Sequence, residues 1–464
     1  MCGIAGEIRF DRSPSQADWR YLGDLMKRRG PDDEGLWDED ERCTLVFRRL
    51  SILDLSEKGH QPMVHESGRF VLAFNGEIYN YRELRRDLEA CGDRFESSGD
   101  AEVLLKALIR WDTAALAKLN GIFAIAFHDR ENGSLLLARD HAGIKPLYVL
   151  RNRKGVAFAS QYNQILGHPW CSDHGIDPSA VSLYLRFGYV PSPYAMIENT
   201  GMLEPGSWLR IEADGKETGG MHWQIPYPCD PSLSGDDAIA AVDEAVTNAV
   251  KRQLVSDVPV GAFLSGGIDS PLVVSKMVDA GHTSLKAFTI ATGEADSDET
   301  RDARKYAEAF GVEQIVEEIS YDQALEFLPE VIEARAPSLL LLVAAGAFLP
   351  TTFELASRSL ARHTDDLAIV VTLLGLVLHE VLEGAAPRPS ERWSRNDDAP
   401  ILRILTYNVH GCVGLDGVLS PERIARVIAR YEPDVVALQE VDVRRARSGG
   451  IDQAELIAER LGML

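Results

Sequence analysis

The chain has few cysteines, no excess of positive charge, no apolar run long enough to cross a bilayer, and no leader-like start. Its six cysteines (Cys2, Cys43, Cys91, Cys171, Cys229, Cys412) form no CxxC pair and no dense framework. That excludes a disulfide scaffold and favours a reducing compartment, the cytoplasm. Basic residues number 48 against 71 acidic ones, a formal charge of −23, so a general nucleic-acid partner is not expected. The apolar runs Leu339–Leu349 and Leu367–Leu378 stop well short of the roughly 20 residues of a membrane helix, so no functional span is expected. The opening MCGIAGEIRF lacks the basic flank and long apolar core of a secretory signal. What remains is ordinary globular composition, 45% apolar and 26% charged, in 464 residues. At about 100–200 residues per domain, that length holds several folding units.

Residues 1–225 alternate short apolar runs with Gly, Asp and Pro. Val71–Asn75, Gly121–Asp129, Leu135–Arg139 and Pro146–Leu150 read as strands. Tyr81–Cys91 and Asp100–Trp111 have helical spacing, with Val103, Leu104, Ala107 and Leu108 on one face. Many strands with few helices predict an α+β layering of stacked sheets with helices outside. Residues 226–235 are Pro/Ser/Gly-rich and read as a linker.

A different rhythm occupies 236–336. Ile239, Val242, Val246, Val250 and Leu254 mark a helix, Val258–Leu264 a buried strand, and Pro271–Gly281 a second helix. Leu285–Ala291, Glu299–Phe310 and Glu313–Ile319 continue as strand, helix and strand, the mark of a parallel α/β sheet. From Pro337 the rhythm breaks: 337–386 is apolar and helical, 387–400 a charged, Pro-bearing linker. Residues 401–464 carry a compact strand–helix–strand pattern in Ile401–Leu405, Pro421–Arg430 and Val435–Gln439.

Cys2 follows the initiator Met and precedes Gly3. Removal of Met1 leaves Cys2 with a free α-amine, whose ordinary pKa near 8 lets it take the thiol proton. One residue is then both nucleophile and base; the bland alternative is a partly buried cysteine near a chain end. MCGIAG, RRGPDDEG (28–35), RRLSILDLS (48–56), FNGEIYNYREL (74–84), SGDAEVLLKAL (98–108), LNGIFAIAFHD (119–129) and RDHAGIKPLY (139–148) occur in this order. With these strings the chain resembles the class II glutamine amidotransferases of the N-terminal-nucleophile hydrolase fold, and among them the glutamine-hydrolysing asparagine synthetases. The resemblance implies Cys2 as nucleophile, with Asn75 by its side-chain amide and Gly76 by its backbone N–H as oxyanion donors. It also implies Arg49 on the glutamine α-carboxylate and Glu77 and Asp100 near the α-ammonium.

Val258–Ser270 reads VPVGAFLSGGIDS, an apolar strand, a Ser-Gly-Gly turn and Asp-Ser before a helix. Backbone N–H groups of such a turn make a phosphate cradle, and the GxxxxGK[ST] lysine of a Walker A loop is missing. The segment resembles the pyrophosphate loop of ATP pyrophosphatases. That implies ATP and Mg²⁺, with Leu264, Ser265, Gly266, Gly267, Asp269, Ser270 and Ile290 at the nucleotide and Asp269 on the metal. Ser448–Asp452 repeats the letters SGGID without the strand context and reads as an ordinary loop.

The synthetase resemblance runs from Asp236 to Ala336, the first part of such a domain. Ala344–Leu349 and His379–Gly384 resemble fragments of ZIP metal transporters, where His379, Glu380 and Glu383 have metal-ligand spacing; an amphipathic remnant is the alternative. Residues 402–463 resemble the start of the endonuclease/exonuclease/phosphatase family, with Asn408 and Glu440 at its first metal-site positions. The expected fold is therefore an α+β N-terminal-nucleophile hydrolase sandwich, a partial α/β parallel-sheet ATP-pyrophosphatase domain and a short α/β fragment.

The expected function is that of an asparagine synthase. Glutamine is hydrolysed and its ammonia passed to an ATP-activated carboxylate, aspartate or another acceptor, and a homodimer is compatible with this. The alternatives are a glutaminase whose truncated synthetase domain is incompetent, and a membrane metal-transport or phosphodiesterase protein.

Overall fold

The computed structural model describes residues 2–225 except 39, 40, 173 and 188, residues 235–319 except 283 and 292–298, and residue 323. Beyond these it describes 404–408, 420–429, 435–439 and 452–461. The expectations for most of the 226–235 linker, for everything from 337 to 400, and for His379, Glu380, Glu383 and Glu440 lie outside the described residues. Two compact units are present. The first draws its described residues from 1–181, 190–287 and 301–315, the second from 182–189, 288–300 and 316–464.

The first unit opens with strands β1 (Gly3–Arg9), β2 (Asp33–Trp37), β3 (Cys43–Arg49), β4 (Met63–Val64), β5 (Phe70–Ile78) and β6 (Gly121–Asp129). They are followed by β7 (Ser134–Arg139), β8 (Tyr148–Asn152), β9 (Gly155–Ala159), β10 (Thr200–Met202), β11 (Ser207–Ile211) and β12 (Glu217–Met221). They form two six-stranded sheets, ordered β10-β8-β9-β1-β3-β2 and β12-β11-β7-β6-β5-β4. Neighbours are antiparallel, for example β1 on β3 with Gly3 opposite Arg48, and β5 on β6 with Gly76 opposite Phe123.

Side chains of successive strand residues point to opposite faces, and here both faces are buried. On β5, Val71 and Ala73 join the layer between the sheets, while Leu72 and Phe74 join the layer on the other side. On β3, Leu45 and Phe47 face the inter-sheet layer and Val46 faces away. Helices close the outer faces: α1 (Trp19–Asp24) and α4 (Tyr162–Gly167) cover the first sheet, α2 (Tyr81–Ala90) and α3 (Asp100–Trp111) the second. The result is the α+β sandwich expected from the strand-rich pattern, with β9 and β1 central in one sheet and β7 and β6 central in the other.

Helix α5 (Pro178–Phe187) follows, and then α6 (Gly235–Gln253), β13 (Ala262–Phe263), α7 (Asp269–Asp279), β14 (Lys286–Ala291), α8 (Thr300–Phe310) and β15 (Glu313–Glu318). Strands β13, β14 and β15 lie in that order in one parallel sheet. Ala262, Leu264, Val274, Met277, Leu285, Ala287, Ala303 and Ala307 make its core in the first unit. One expectation is corrected here, while the expected helix is present as α6. Val258–Leu264 keeps strand geometry only at Ala262–Phe263, because Pro259 has no N–H for a ladder and the N–H of Val258 goes to Ser256 Oγ at 3.1 Å. The apolar stripe of α6 is used only at its end: Val250 packs on this core, while Ile239 and Val242 are exposed.

In the second unit, β16 (Ile404–Asn408) pairs in parallel with β17 (Val435–Gln439). Two further helices, α9 (Pro421–Ala429) and α10 (Gln453–Leu461), bury Ile424, Ala425, Ile428 and Ile457. Asn408 ends β16. Of the SGGID repeat, only Asp452 is described, and its carboxylate accepts the Glu455 N–H at the start of α10. Among the described residues no helix is long and apolar enough to cross a membrane.

Leu104 of α3 is fully buried in the layer beneath β5. Its replacement by alanine is expected to cost about 2–5 kcal/mol, transfer and cavity together. A urea midpoint that does not move would show that α3 is not anchored as described.

Candidate active site

Because β1 runs antiparallel to β3, Cys2 at the head of one strand meets Leu50 just past the end of the other. The thiol is held at both of its functions by one residue: Sγ donates to the Leu50 carbonyl at 3.6 Å and accepts the Leu50 N–H at 3.4 Å. The Cys2 carbonyl accepts from Arg29 Nε at 3.1 Å. Burial pushes the Cys2 thiol up from its ordinary range, opposed by the Leu50 main chain and nearby cations.

The second sheet brings Asn75 and Gly76 to the same end of the sandwich. Asn75 is completely buried, and its Nδ2 donates to Ser160 Oγ at 3.3 Å. Its Oδ1 has no partner among the described residues. Ser160 also accepts the Ile4 N–H at 3.0 Å, so it links β1 to Asn75. Gly76 has no room for a side chain: a Cβ there would stand 2.0 Å from the Ile122 carbonyl oxygen. Cys2, Arg49, Gly76, Glu77 and Asp100 line one concavity, with Leu50, Ile52–Asp54 and Gly59 as its other wall. Asn75 lies buried behind that lining rather than in it.

Arg49 is buried, and its guanidinium is braced by a loop. Nη1 donates to the Ser56 carbonyl at 3.2 Å, and Nη2 to the carbonyls of Leu53, at 3.1 Å, and Asp54. At least two of its five N–H groups are left for a ligand. Gly59 makes space for that guanidinium, since a Cβ there would stand 1.9 Å from Nη2. Asp100 opens α3, and its carboxylate accepts the Ile78 N–H at 2.8 Å, beside Glu77.

The electrostatics of the concavity raise both of its acids. Burial, then the neighbouring Asp100 carboxylate, push Glu77 up to about 8. Burial pushes Asp100 up to about 6, against the Ile78 N–H and Arg49, which pull the other way. Lys145 is a buried cation whose pKa is lowered by burial and by Arg29, and partly restored by Cys2, Glu77 and Asp140. Reading the residues one by one missed Lys145, Gly59, Ser160 and the Leu50 main chain. Only the GIKPLY string containing Lys145 stood out, and without a role.

The second candidate loop sits between β13 and α7. Ser265 N–H donates to Ser270 Oγ at 2.8 Å, the two hydroxyls meet at 2.9 Å, and the Gly267 N–H donates to Ser265 Oγ at 3.2 Å. Leu264 is buried below the turn, and Asp269 is the first residue of α7. Ile290 is buried on β14. Among the described residues no group of three His, Cys, Asp or Glu side chains is arranged to hold a metal ion.

Glu77 gives a test of these electrostatics. Its folded value, about 8, lies above the ordinary 4.5, so folding binds a proton between those pH values. The stability this contributes is complete below about pH 4.5 and is lost as pH rises through the folded value. Relative to the parent, Glu77→Gln should gain at least about 1 kcal/mol between pH 5 and pH 8. Urea midpoints at the two pH values measure it, and a constant difference would mean that Glu77 is not raised.

Residues 1–223 match the glutamine amidotransferase domain family, residues 241–357 asparagine synthase, and residues 405–455 the endonuclease/exonuclease/phosphatase family. The asparagine synthase match continues past Ala336, where the sequence resemblance ends. Asparagine synthetase [glutamine-hydrolyzing] 1 of Bacillus subtilis is 35% identical over 336 residues, 72% of this chain and 52% of that protein. A putative asparagine synthetase [glutamine-hydrolyzing] 2 of Methanocaldococcus jannaschii is 34% identical over 320 residues, 65% of this chain and 61% of that protein. The chain thus spans about half to three-fifths of the length of these relatives. A solved glutamine phosphoribosylpyrophosphate amidotransferase from B. subtilis, 16% identical, overlaps 68% of this chain and 65% of its own at a TM-score of 0.36, too low to carry an argument. Over residues 1–223 and 241–357 the chain thus matches the glutamine amidotransferase domain and asparagine synthase family models and is similar to glutamine-hydrolysing asparagine synthetases.

Proposed function

We propose that this chain is a glutamine-dependent amidotransferase of the asparagine synthase type. Cys2 hydrolyses glutamine to glutamate and ammonia, and the ammonia is passed to an ATP-activated carboxylate, aspartate, to give asparagine. The observation that carries this reading is the single concavity shared by the Cys2 thiol, the Arg49 guanidinium and the Glu77 and Asp100 carboxyls.

In the mechanism Met1 is removed and the free α-amine of Cys2 takes the thiol proton. A base is needed because burial holds the thiol protonated. Sγ attacks the carboxamide carbon of glutamine, and the oxyanion is met by Asn75 Nδ2 and the Gly76 N–H. The ammonium formed at the α-amine returns the proton to the leaving nitrogen, ammonia departs, and water hydrolyses the thioester. Arg49 takes the α-carboxylate with its remaining N–H groups. The α-ammonium faces Glu77 and Asp100, two acids that gain a reason to ionise when a cation arrives.

For the second half-reaction ATP is the substrate. The Ser265–Ser270 turn has the donors a pyrophosphate needs, and its two hydroxyls, which now satisfy each other, can turn to phosphate oxygens. Gly266 and Gly267 would let the backbone approach the phosphates above the buried Leu264, and Asp269 would hold Mg²⁺, which would neutralise phosphate charge.

Three measurements check this. With glutamine, aspartate, Mg²⁺ and ATP, glutamate, AMP and asparagine should form together; glutamate alone would confine the chain to the first half-reaction. Cys2→Ala should abolish glutamate release, and an undiminished rate would remove Cys2 from the chemistry. Gly59→Ala should push the Arg49 guanidinium aside and raise KM for glutamine about tenfold with little change in kcat, the loss of roughly one charge-assisted hydrogen bond. An unchanged KM would show that Arg49 does not hold the substrate.

A further inference from the structure

We infer that Asp257, a residue of the asparagine synthase segment, is a positioning residue for the glutamine site; the inference rests on the function proposed above. Asp257 lies between α6 and β13, far in sequence from the concavity, yet it is bonded twice to the concavity's wall. Its Oδ2 accepts the Asp54 N–H at 2.8 Å, and its own N–H donates to the Ile52 carbonyl at 3.0 Å. The segment around it is seated on the same unit. Val255 packs against the core cluster that contains Leu104, and Arg252 Nη1 stands 3.8 Å from Glu83 of α2.

Asp54 is where such a hold matters. Its φ is +50°, in the left-handed region that residues bearing a side chain seldom adopt. Strained backbone of this kind persists only where its surroundings over-determine it. Here the Asp54 carbonyl accepts from Arg49, and its carboxylate accepts the Ser98 N–H at 2.8 Å and the Ser56 N–H at 3.2 Å. Among the described residues the Asp54 N–H is held by Asp257 and by nothing in the glutamine amidotransferase segment.

Releasing that bond lets Asp54 relax toward ordinary backbone geometry. The Leu53 and Asp54 carbonyls that orient the Arg49 guanidinium then move, and so does the Ser98–Asp100 turn capped by the Asp54 carboxylate. Cys2 and Asn75 are fixed by other strands and keep their places. Asp257 therefore acts on substrate grip rather than on the chemical step.

The test uses the full chain with Asp257→Ala and Asp257→Asn, the second keeping an acceptor oxygen at the same position. Asp257→Ala should raise KM for glutamine about tenfold while kcat stays within about twofold, and Asp257→Asn should restore most of the affinity. Amide hydrogen exchange should quicken in Asp257→Ala at residues 52–56 and 96–100 and stay unchanged in β5 and β6. An unchanged KM, a loss in kcat to match KM, an asparagine variant as weak as alanine, or exchange that rises everywhere would each overturn the inference. If the parent hydrolyses no glutamine, the proposed function fails. The exchange pattern still decides whether Asp257 holds the wall: quickening confined to 52–56 and 96–100 supports it, and unchanged exchange overturns it.

Discussion

The chemistry of the first unit depends on the register of β1 against β3. With Gly3 opposite Arg48, Cys2 falls opposite the last residue of β3, Arg49, and the main chain of the next residue, Leu50, can hold the thiol as acceptor and donor at once. A slip of one residue would turn Ile4 and Ile8 out of the inter-sheet layer and carry the thiol to the other face. The register is thus enforced by the hydrophobic layers, and the site inherits its precision from them. Gly76 shows the same dependence from the second sheet: β6 runs so close that only glycine fits beside the Ile122 carbonyl, which keeps the Gly76 main chain open toward the concavity.

The concavity and the buried Lys145 near it gather groups whose neutral forms burial favours. Glu77 and Asp100 sit above their ordinary values, Lys145 below its own, and the Cys2 thiol above. Two carboxyls beside each other repel when both are ionised, and Lys145 shares its surroundings with Arg29. The zwitterionic amino acid proposed above as substrate would relieve both tensions, its ammonium answering the acids and its carboxylate the cations.

Much of the sandwich was legible because its strands obey period two with both faces apolar, as Val71 to Phe74 illustrate. The strings around Cys2, Arg49, Gly76 and Asp100 were legible as a family pattern, and the concavity brings those four together. The position of Asn75 behind the lining, the bridge Ser160 makes from it to β1, and the room Gly59 makes for Arg49 were not legible. Each acts through a partner set by tertiary packing, and a lone serine or glycine carries no local signal of that. The Asp54–Asp257 bond spans 203 residues, a separation at which periodicity and turn chemistry say nothing. The predicted strand Val258–Leu264 misled for a related reason: its apolar content was right, but Pro259 and the neighbouring contacts decided where its main chain bonds.

That shortened strand is itself informative. Every buried N–H and C=O needs a partner, and a segment that leaves a sheet must find its partners elsewhere. The Asp257 N–H finds its partner on Ile52 and the Val258 N–H on Ser256 Oγ, while the Asp257 carboxylate accepts the Asp54 N–H, and the ladder begins only at Ala262. The turn from Ser265 to Ser270 then follows within a few residues, closed by its own hydroxyls. One short run of chain is therefore fastened at its start to the wall of the thiol site and ends in the Ser-Gly-Gly turn. A regular strand over Val258–Leu264 would direct these main-chain groups into the sheet. The irregular backbone is what lets a residue of the asparagine synthase segment reach the strained Asp54.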